Sequence, residues 1–78
     1  MITVYLYSTL GCHLCEHALE IITPLLSGHR FILKEIDISE SDALVDRYGI
    51  TIPVMRRGDN DRELGWPFDA AQAKSFLS

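Results

Sequence analysis

The sequence predicts a single α/β domain in which a mixed four-stranded sheet is flanked by helices. The chain has 78 residues, which is enough for one domain and leaves little material for excursions. In its first part, apolar residues alternate with other residues and then recur at helical spacing. This pattern predicts a strand–helix–strand unit with a parallel pair of strands and a right-handed crossover. A tight turn near the end predicts an antiparallel pair. The predicted order is strand, helix, strand, helix, strand, strand, helix.

The first strand and the first helix follow from hydrophobic periodicity. Residues 2–7 alternate between apolar and other side chains and are rich in β-branched and aromatic types, which predicts a strand. A helix is predicted to begin near Cys12 or His13 and to end by Ser27 and Gly28, where glycine suits the left-handed cap. Its apolar positions are Leu14, Ala18, Ile21, Ile22, Leu25 and Leu26. Pro24 interrupts this pattern and predicts either a kink or an early helix end.

The middle of the chain predicts a second strand and a short helix. Residues 31–38 form an apolar-rich run that predicts the strand. Ser39 or Ser41 is the candidate N-cap of a helix that runs through Tyr48. Gly49 follows as its stop signal.

The last part of the chain predicts a hairpin and a final helix. Residues 52–56 are a strand that a proline opens, and residues 62–66 are a short partner strand. The turn between them is rich in glycine, aspartate and asparagine over residues 58–61. Asp69 is predicted to cap a helix that runs through Leu77.

Composition and charge narrow the classes of partner. The formal net charge is −4, from 11 acidic and 7 basic residues. Arg56 and Arg57 form the longest Lys/Arg run, so the basic surface that nucleic acid requires is absent. No apolar run approaches the roughly 20 residues of a membrane span, and the N-terminus has no basic signal-peptide region. We therefore expect a cytoplasmic monomer that binds neither nucleic acid nor membrane.

The only two cysteines, Cys12 and Cys15, lie within four residues of each other. They are too few for a secreted disulfide scaffold of this size. A bond between them would close almost no loop, and the entropic gain of a disulfide grows with loop length. The pair is therefore expected to react or to bind a metal, rather than to staple the fold.

At this point the sequence resembles the glutaredoxin-like branch of the thioredoxin superfamily over nearly the whole chain. The segment from Tyr7 to Cys15 is similar to the glutaredoxin active-site segment, with a strand ending in Tyr-Ser, a turn, and C-x-x-C opening a helix. The segment from Tyr48 to Val54 resembles the loop that holds the cis-proline of this family opposite the cysteines. The order of elements also matches the minimal glutaredoxin fold. The resemblance implies a thioredoxin-like fold with Pro53 in the cis form.

The sequence departs from most glutaredoxins at several points of the predicted site. Where they have Pro-Tyr between the cysteines, this chain has His13 and Leu14, and Thr9 stands where a lysine often helps to hold glutathione. The last strand of the family typically ends in Gly-Gly. Gly65 matches the first of these glycines, but Trp66 replaces the second and places an indole where glutathione would approach.

The chemistry that the resemblance implies is thiol–disulfide exchange. Thiols of C-x-x-C motifs at helix N-termini ionise more readily than a free cysteine. Cys12 is assigned as the nucleophile, and Cys15 as the resolving thiol. Predicted substrate-binding residues are His13, Ile52, Pro53, Gly65, Trp66 and Asp69. Substrates would be protein or small-molecule disulfides, no cofactor would be bound, and glutathione or a reductase would supply electrons.

Several of these residues keep a second interpretation. His13 either favours the neighbouring thiolate as a cation or is an ordinary exposed residue of the first helical turn. Pro53 is either cis, which would leave the backbone of Ile52 free to pair with an extended substrate, or a proline that opens an edge strand. Trp66 and Phe68 either form an apolar substrate platform or complete the core, and we favour the core.

Two other functions stay open at the level of the whole chain. Two thiolates supply half of a tetrahedral zinc site, or half of the ligands of an iron–sulfur cluster shared in a dimer. No residue of this chain is assigned as a ligand of a complete metal site. The fold is also compatible with a binding module that has no redox activity.

Overall fold

The computed structural model describes residues 2–26 and 30–77 and confirms the predicted fold class. The strands are β1 (Ile2–Ser8), β2 (Phe31–Asp37), β3 (Val54–Arg57) and β4 (Glu63–Gly65). The helices are α1 (His13–Ile22), α2 (Asp42–Tyr48) and α3 (Ala70–Phe76), with short 3₁₀ helices at Thr23–Leu26 and Ile38–Glu40. No helix within these described ranges is long and apolar enough to cross a bilayer.

The sheet brings three chain segments to a single edge. Its strand order is β2-β1-β3-β4, with β1 parallel to β2, and β3 antiparallel to both β1 and β4. At this edge Tyr7 pairs with Val54, and Val54 pairs with Gly65. Ser8 pairs with Asp37 at the end of β2. The loop after β1, the loop before β3 and the loop after β4 therefore leave the sheet side by side.

The two faces of the sheet are covered by different helices, since successive strand side chains point to opposite faces. Helices α1 and α3 cover one face. The core on that side contains Val4, Leu6, Ala18, Ile22, Met55, Phe68, Ala73 and Leu77. Helix α2 covers part of the other face. The smaller core there contains Tyr7, Ile38, Tyr48 and Val54.

The first helix ends early, which is one of the two outcomes expected from Pro24. Helix α1 stops at Ile22, and the next turn is 3₁₀. Proline has no N–H to donate to the carbonyl of Glu20, so the α-helical ladder cannot continue through it. Leu14, which belongs to the apolar pattern that predicted this helix, is 47% exposed. The buried side of α1 is formed by other apolar residues of the helix. The stop signal expected at Gly28 lies outside the described residues.

Other element boundaries differ from prediction by one or two residues. Strand β2 ends at Asp37 instead of residue 38, because the Asp37 carboxylate accepts hydrogen bonds from the backbone and hydroxyl of Ser39 and begins a 3₁₀ turn. Ser41, and not Ser39, is the N-cap of α2. Strand β3 begins at Val54 instead of residue 52, because the Ile52 N–H still bonds into the turn that follows α2.

Candidate functional site

The two cysteines form a disulfide at the N-terminus of α1, with their Cα atoms 5.2 Å apart. Cys12 is the N-cap residue, and its Sγ accepts a hydrogen bond from the Cys15 N–H at 3.2 Å. Cys15 is only 4% exposed, whereas Cys12 is partly exposed. An external thiol can therefore reach Cys12 more readily than Cys15. In the reduced state, the N–H groups and dipole of the helix would favour a thiolate at Cys12.

The turn before the disulfide explains how the chain reaches this position. The Cys12 N–H donates to the carbonyl of Thr9 at 3.3 Å, and Gly11 between them has a φ of 76°. A left-handed residue at the third position of a four-residue turn is the pattern that glycine satisfies at no steric cost. Leu10, at the second position, is 90% exposed. The turn therefore presents an apolar side chain next to the accessible sulfur.

The loop before β3 forms a second part of the site. The Ile52–Pro53 peptide bond is cis, and the ring of Pro53 is fully buried. The Ile52 N–H donates to the carbonyl of Tyr48 at 3.2 Å. This corrects the expectation of a free Ile52 backbone, because pairing with an extended substrate would have only the Ile52 carbonyl to use. The Pro53 carbonyl, in turn, accepts from the Trp66 N–H at 3.0 Å.

The segment after β4 forms the third part. A side chain at Gly65 would meet no atom within 4 Å, so open space adjoins this end of the strand. Trp66 is partly buried against the core and meets Phe68 edge to face, with ring centroids 5.1 Å apart. Phe68 is 5% exposed and belongs to the core, as favoured above. The Trp66–Pro67 peptide bond is also cis.

Asp69 is held in a capping box at the start of α3. Its carboxylate accepts from the Gln72 N–H at 2.8 Å, and the Gln72 side chain accepts from the Asp69 N–H at 2.9 Å. This confirms the predicted cap. Its role in substrate binding stays a prediction.

His13 lies on the exposed side of the first turn of α1. Its side chain is 82% exposed and its Nδ1 lies 3.4 Å from the Glu16 carboxylate. Its ring meets His17 edge to face at 5.4 Å. Within residues 2–26 and 30–77, no group of three or more His, Cys, Asp or Glu side chains is arranged to hold a metal ion. The influence of His13 on Cys12 stays a prediction.

Sequence reasoning missed two residues at this edge of the sheet. It gave Asp37 no role near the site, whereas hydrogen bonds from Ser39 and from the Thr9 side chain hold the pKa of its carboxyl below the usual value. Asp37 thus ties the end of β2 to the turn before Cys12. It treated Tyr48 as the last residue of a helix and the first of the segment that carries Pro53, whereas the residue is only 4% exposed and packs under that loop. The Asp-x-Ser spacing signals the first arrangement, but no local pattern signals the second.

The comparisons with known proteins agree with this geometry. Residues 3–78 match the family described as Glutaredoxin-like domain (DUF836). The solved structure of protein XcR50 from X. campestris is 34% identical to this chain, with 95% of this chain and 93% of that chain covered and a TM-score of 0.82. Protein Ne2328 from Nitrosomonas europaea is 28% identical, with 99% and 92% covered and a TM-score of 0.82. The germline-specific thioredoxin Deadhead from Drosophila melanogaster shares the fold at 16% identity, with 97% and 77% covered and a TM-score of 0.69.

No curated protein matches the chain. The family match spans nearly the whole chain, and the two solved structures at 34% and 28% identity share its fold over most of their length. The chain therefore belongs to the glutaredoxin-like family of the thioredoxin superfamily.

Proposed function

We propose that the protein is a thiol–disulfide oxidoreductase in which Cys12 is the nucleophile and Cys15 the resolving thiol. The observation that carries this proposal is the asymmetry of the disulfide. One sulfur is partly exposed at a helix N-terminus, and the other is buried behind it. This is the arrangement in which one thiol exchanges with an external disulfide while the second waits within reach.

The proposed reaction transfers two electrons from the protein to its substrate. The Cys12 thiolate attacks one sulfur of the substrate disulfide, so that the substrate S–S bond breaks and a mixed disulfide forms. The leaving substrate thiolate takes up a proton. Cys15 then loses its proton and attacks the Cys12 sulfur, which forms the Cys12–Cys15 disulfide and releases the second substrate thiol. Glutathione or a reductase, as an external thiol, would return the protein to its dithiol form.

The exposed apolar side chains around the site favour a polypeptide disulfide as substrate. Leu10 and Leu14, on either side of Cys12, are 90% and 47% exposed. Ile50, two residues before Ile52, is 100% exposed. Apolar side chains at these positions are suited to contact a chain longer than a small thiol. A reductase of this kind works in a reducing compartment, so we keep the cytoplasm as its expected location.

A redox titration tests the proposal. Purified protein is equilibrated across thiol–disulfide buffers, and the oxidised fraction is measured by alkylation and mass. We expect a reversible two-electron transition at about −180 to −280 mV, the range of working reductases and isomerases. In the reduced protein, iodoacetamide should modify Cys12 before Cys15, since only Cys12 is partly exposed.

Single-cysteine variants assign the two roles. Cys12→Ser should abolish the reduction of insulin, whereas Cys15→Ser should still attack and should accumulate a mixed disulfide with it. The proposal is wrong if Cys12→Ser keeps full activity, or if the wild-type protein forms no reversible internal disulfide. In that event, bound zinc or iron in freshly purified protein would point to metal binding instead.

A further inference from the structure

Tyr48, the last residue of α2, contacts three segments that surround the disulfide. Its ring stacks on the ring of Tyr7, with centroids 4.3 Å apart and an angle of 13° between the planes. Its hydroxyl donates a hydrogen bond to the carboxylate of Glu63 on β4. Its carbonyl accepts from the N–H groups of Thr51 and Ile52, at 2.9 and 3.2 Å.

Each of these partners leads directly into a part of the candidate site. Tyr7 stands at the end of β1, just before the turn that delivers Cys12. Ile52 is bonded to Pro53. Glu63 opens β4, whose last residue is Gly65. The side chain of Tyr48 therefore joins β1 to β4 across the intervening strand, while its backbone holds the Pro53 loop.

We propose that Tyr48 is a positioning residue, whose hydroxyl bond to Glu63 at the start of β4 holds this short strand in place relative to the Pro53 loop, so that a polypeptide disulfide is aligned on Cys12. This inference rests on the proposed function. It assigns Tyr48 no contact with the reacting sulfurs. Its effect is on how well an extended substrate fits against the surface that the loop and the strand form together.

The surroundings of Tyr48 and Glu63 favour a hydrogen bond between them at neutral pH. Burial, followed by the hydrogen bond to Glu63, raises the pKa of Tyr48 to about 12, so the hydroxyl stays protonated and able to donate at neutral pH. The guanidinium of Arg47 lies 3.3 Å from the Glu63 carboxylate and 5.2 Å from the centre of the Tyr48 ring. Arg47 therefore places a positive charge beside the Glu63 carboxylate and covers the ring.

The hydroxyl can be separated from the packing of the ring. A phenylalanine at position 48 keeps the stack on Tyr7 and the two backbone hydrogen bonds, and removes only the link to Glu63. The side chain of Glu63 is 30% exposed, so water can satisfy the carboxylate once the link is lost. Tyr48→Phe should therefore remove the side-chain link between α2 and β4, while the pairing of β4 with β3 and the core stay intact.

The test compares two probes of different size on Tyr48→Phe. One probe is insulin, a polypeptide disulfide, and the other is hydroxyethyl disulfide, which is too small to span the loop and the strand. We expect kcat/KM for insulin to fall about two- to thirteenfold, the range that the net contribution of one hydrogen bond converts to, and to fall through KM. Turnover of hydroxyethyl disulfide and the midpoint potential of the Cys12–Cys15 disulfide should stay at the wild-type values.

Tyr5→Phe is the matched control. Tyr5 lies on the same face of β1 as Tyr7, and its hydroxyl makes no hydrogen bond with other residues in the described ranges. This variant should leave the kinetics with both probes unchanged. Glu63→Gln retains an oxygen that accepts from Tyr48 and should keep most of the activity with insulin. Glu63→Ala should lose as much as Tyr48→Phe, and the double variant should lose no more than either single variant.

Two results would overturn the inference. Wild-type kinetics with insulin in Tyr48→Phe would show that the hydroxyl positions nothing. An equal loss with both probes would show a general structural role instead of alignment of a long substrate. A wild-type protein that reduces neither probe would refute the proposed function itself, and the inference with it. That outcome is distinguishable because it is read from the wild-type protein alone.

Discussion

The substitution Arg57→Met removes a buried cation that joins three parts of the fold. The side chain of Arg57 is 10% exposed. Its Nε and Nη2 atoms each donate to an oxygen of the Asp59 carboxylate at 2.9 Å. Its Nη1 donates to the carbonyl of Phe76, in the last turn of α3, at 2.8 Å, and the guanidinium lies 5.4 Å from the ring centre of Phe31. Methionine keeps the apolar stem and loses every one of these polar contacts.

The hydrogen bond to the Phe76 carbonyl determines how much free energy of unfolding Arg57→Met should lose. A hydrogen bond from a charged donor contributes about 1.5–3 kcal/mol net, and its loss leaves a carbonyl at the C-terminus of α3 without this partner. We assign no figure to the pair with Asp59, which is open to water. Total stability for 78 residues is expected to be about 4–12 kcal/mol. A loss of about 1.5–3 kcal/mol should lower Tm by about 6–24 °C in a domain of this size.

Arg56→Met is the control, because Arg56 is the neighbouring arginine on the opposite face of β3. Its side chain is 35% exposed and donates to the Tyr7 hydroxyl at 3.3 Å and to the carboxylate of Asp61, whose side chain is 72% exposed. An exposed ion pair of this kind contributes about 0–1 kcal/mol. Urea denaturation followed by circular dichroism measures both variants. The reasoning is refuted if Arg56→Met costs as much stability as Arg57→Met, or if Arg57→Met unfolds at the wild-type urea concentration.

The ion pair between Arg57 and Asp59 predicts how the stability difference between the wild type and Arg57→Met depends on pH. The hydrogen bond and charge of Arg57 hold the pKa of Asp59 below its usual value of 3.8. A carboxyl whose pKa is lowered on folding adds stability that is present above the unfolded pKa and is lost as the pH falls through the folded pKa. The gap between wild type and Arg57→Met should therefore be constant near neutrality and narrow below about pH 4. A gap that widens in acid would contradict this assignment.

Two further pairs of substitutions test local features near the site. Asp69→Ala removes the cap of α3 and should lower the free energy of unfolding, measured by urea denaturation, by about 1 kcal/mol. Asp69→Asn should recover most of this loss. Equal stabilities of the two variants would exclude a capping role. Gly11→Ala should cost about 1 kcal/mol because of its φ of 76°, whereas Gly65→Ala should be nearly neutral, and neither added Cβ would meet an atom within 4 Å. If both alanine variants were equally stable, backbone strain at Gly11 would not be the cause.

Periodicity and capping signals predicted nearly all of the fold. The alternation in β1, the capping residues Ser41 and Asp69, and the turn before β4 each act over a few neighbouring residues, so their effect can be read from the sequence. The boundaries were less certain. The end of β2 at Asp37 depends on whether a side chain bonds to its own backbone or leaves the strand to continue, and the two outcomes share the same residue pattern.

In the candidate site, too, the features that could be predicted from the sequence are the ones that depend only on neighbouring residues. The four-residue segment from Cys12 to Cys15 contains both sulfurs, and the helix that follows it can be predicted from spacing, so a reactive pair at a helix N-terminus is a property of the local sequence. The glycine in the turn before it is equally local. These features need no knowledge of what packs against them.

The tertiary structure alone decided which groups that are distant in sequence meet in the fold. The bond from Tyr48 to Glu63 joins residues 15 apart in sequence, and the bond from Arg57 to Phe76 joins residues 19 apart. Both depend on strand register and helix placement, which the packing of the whole chain determines. A residue pattern records which face of an element is apolar, but a polar contact between two elements requires their relative position to within about an ångström, because hydrogen bonds weaken steeply beyond about 3.2 Å. That is why the sequence determined the chemistry of the cysteine pair, whereas the structure decided how its surroundings are held together.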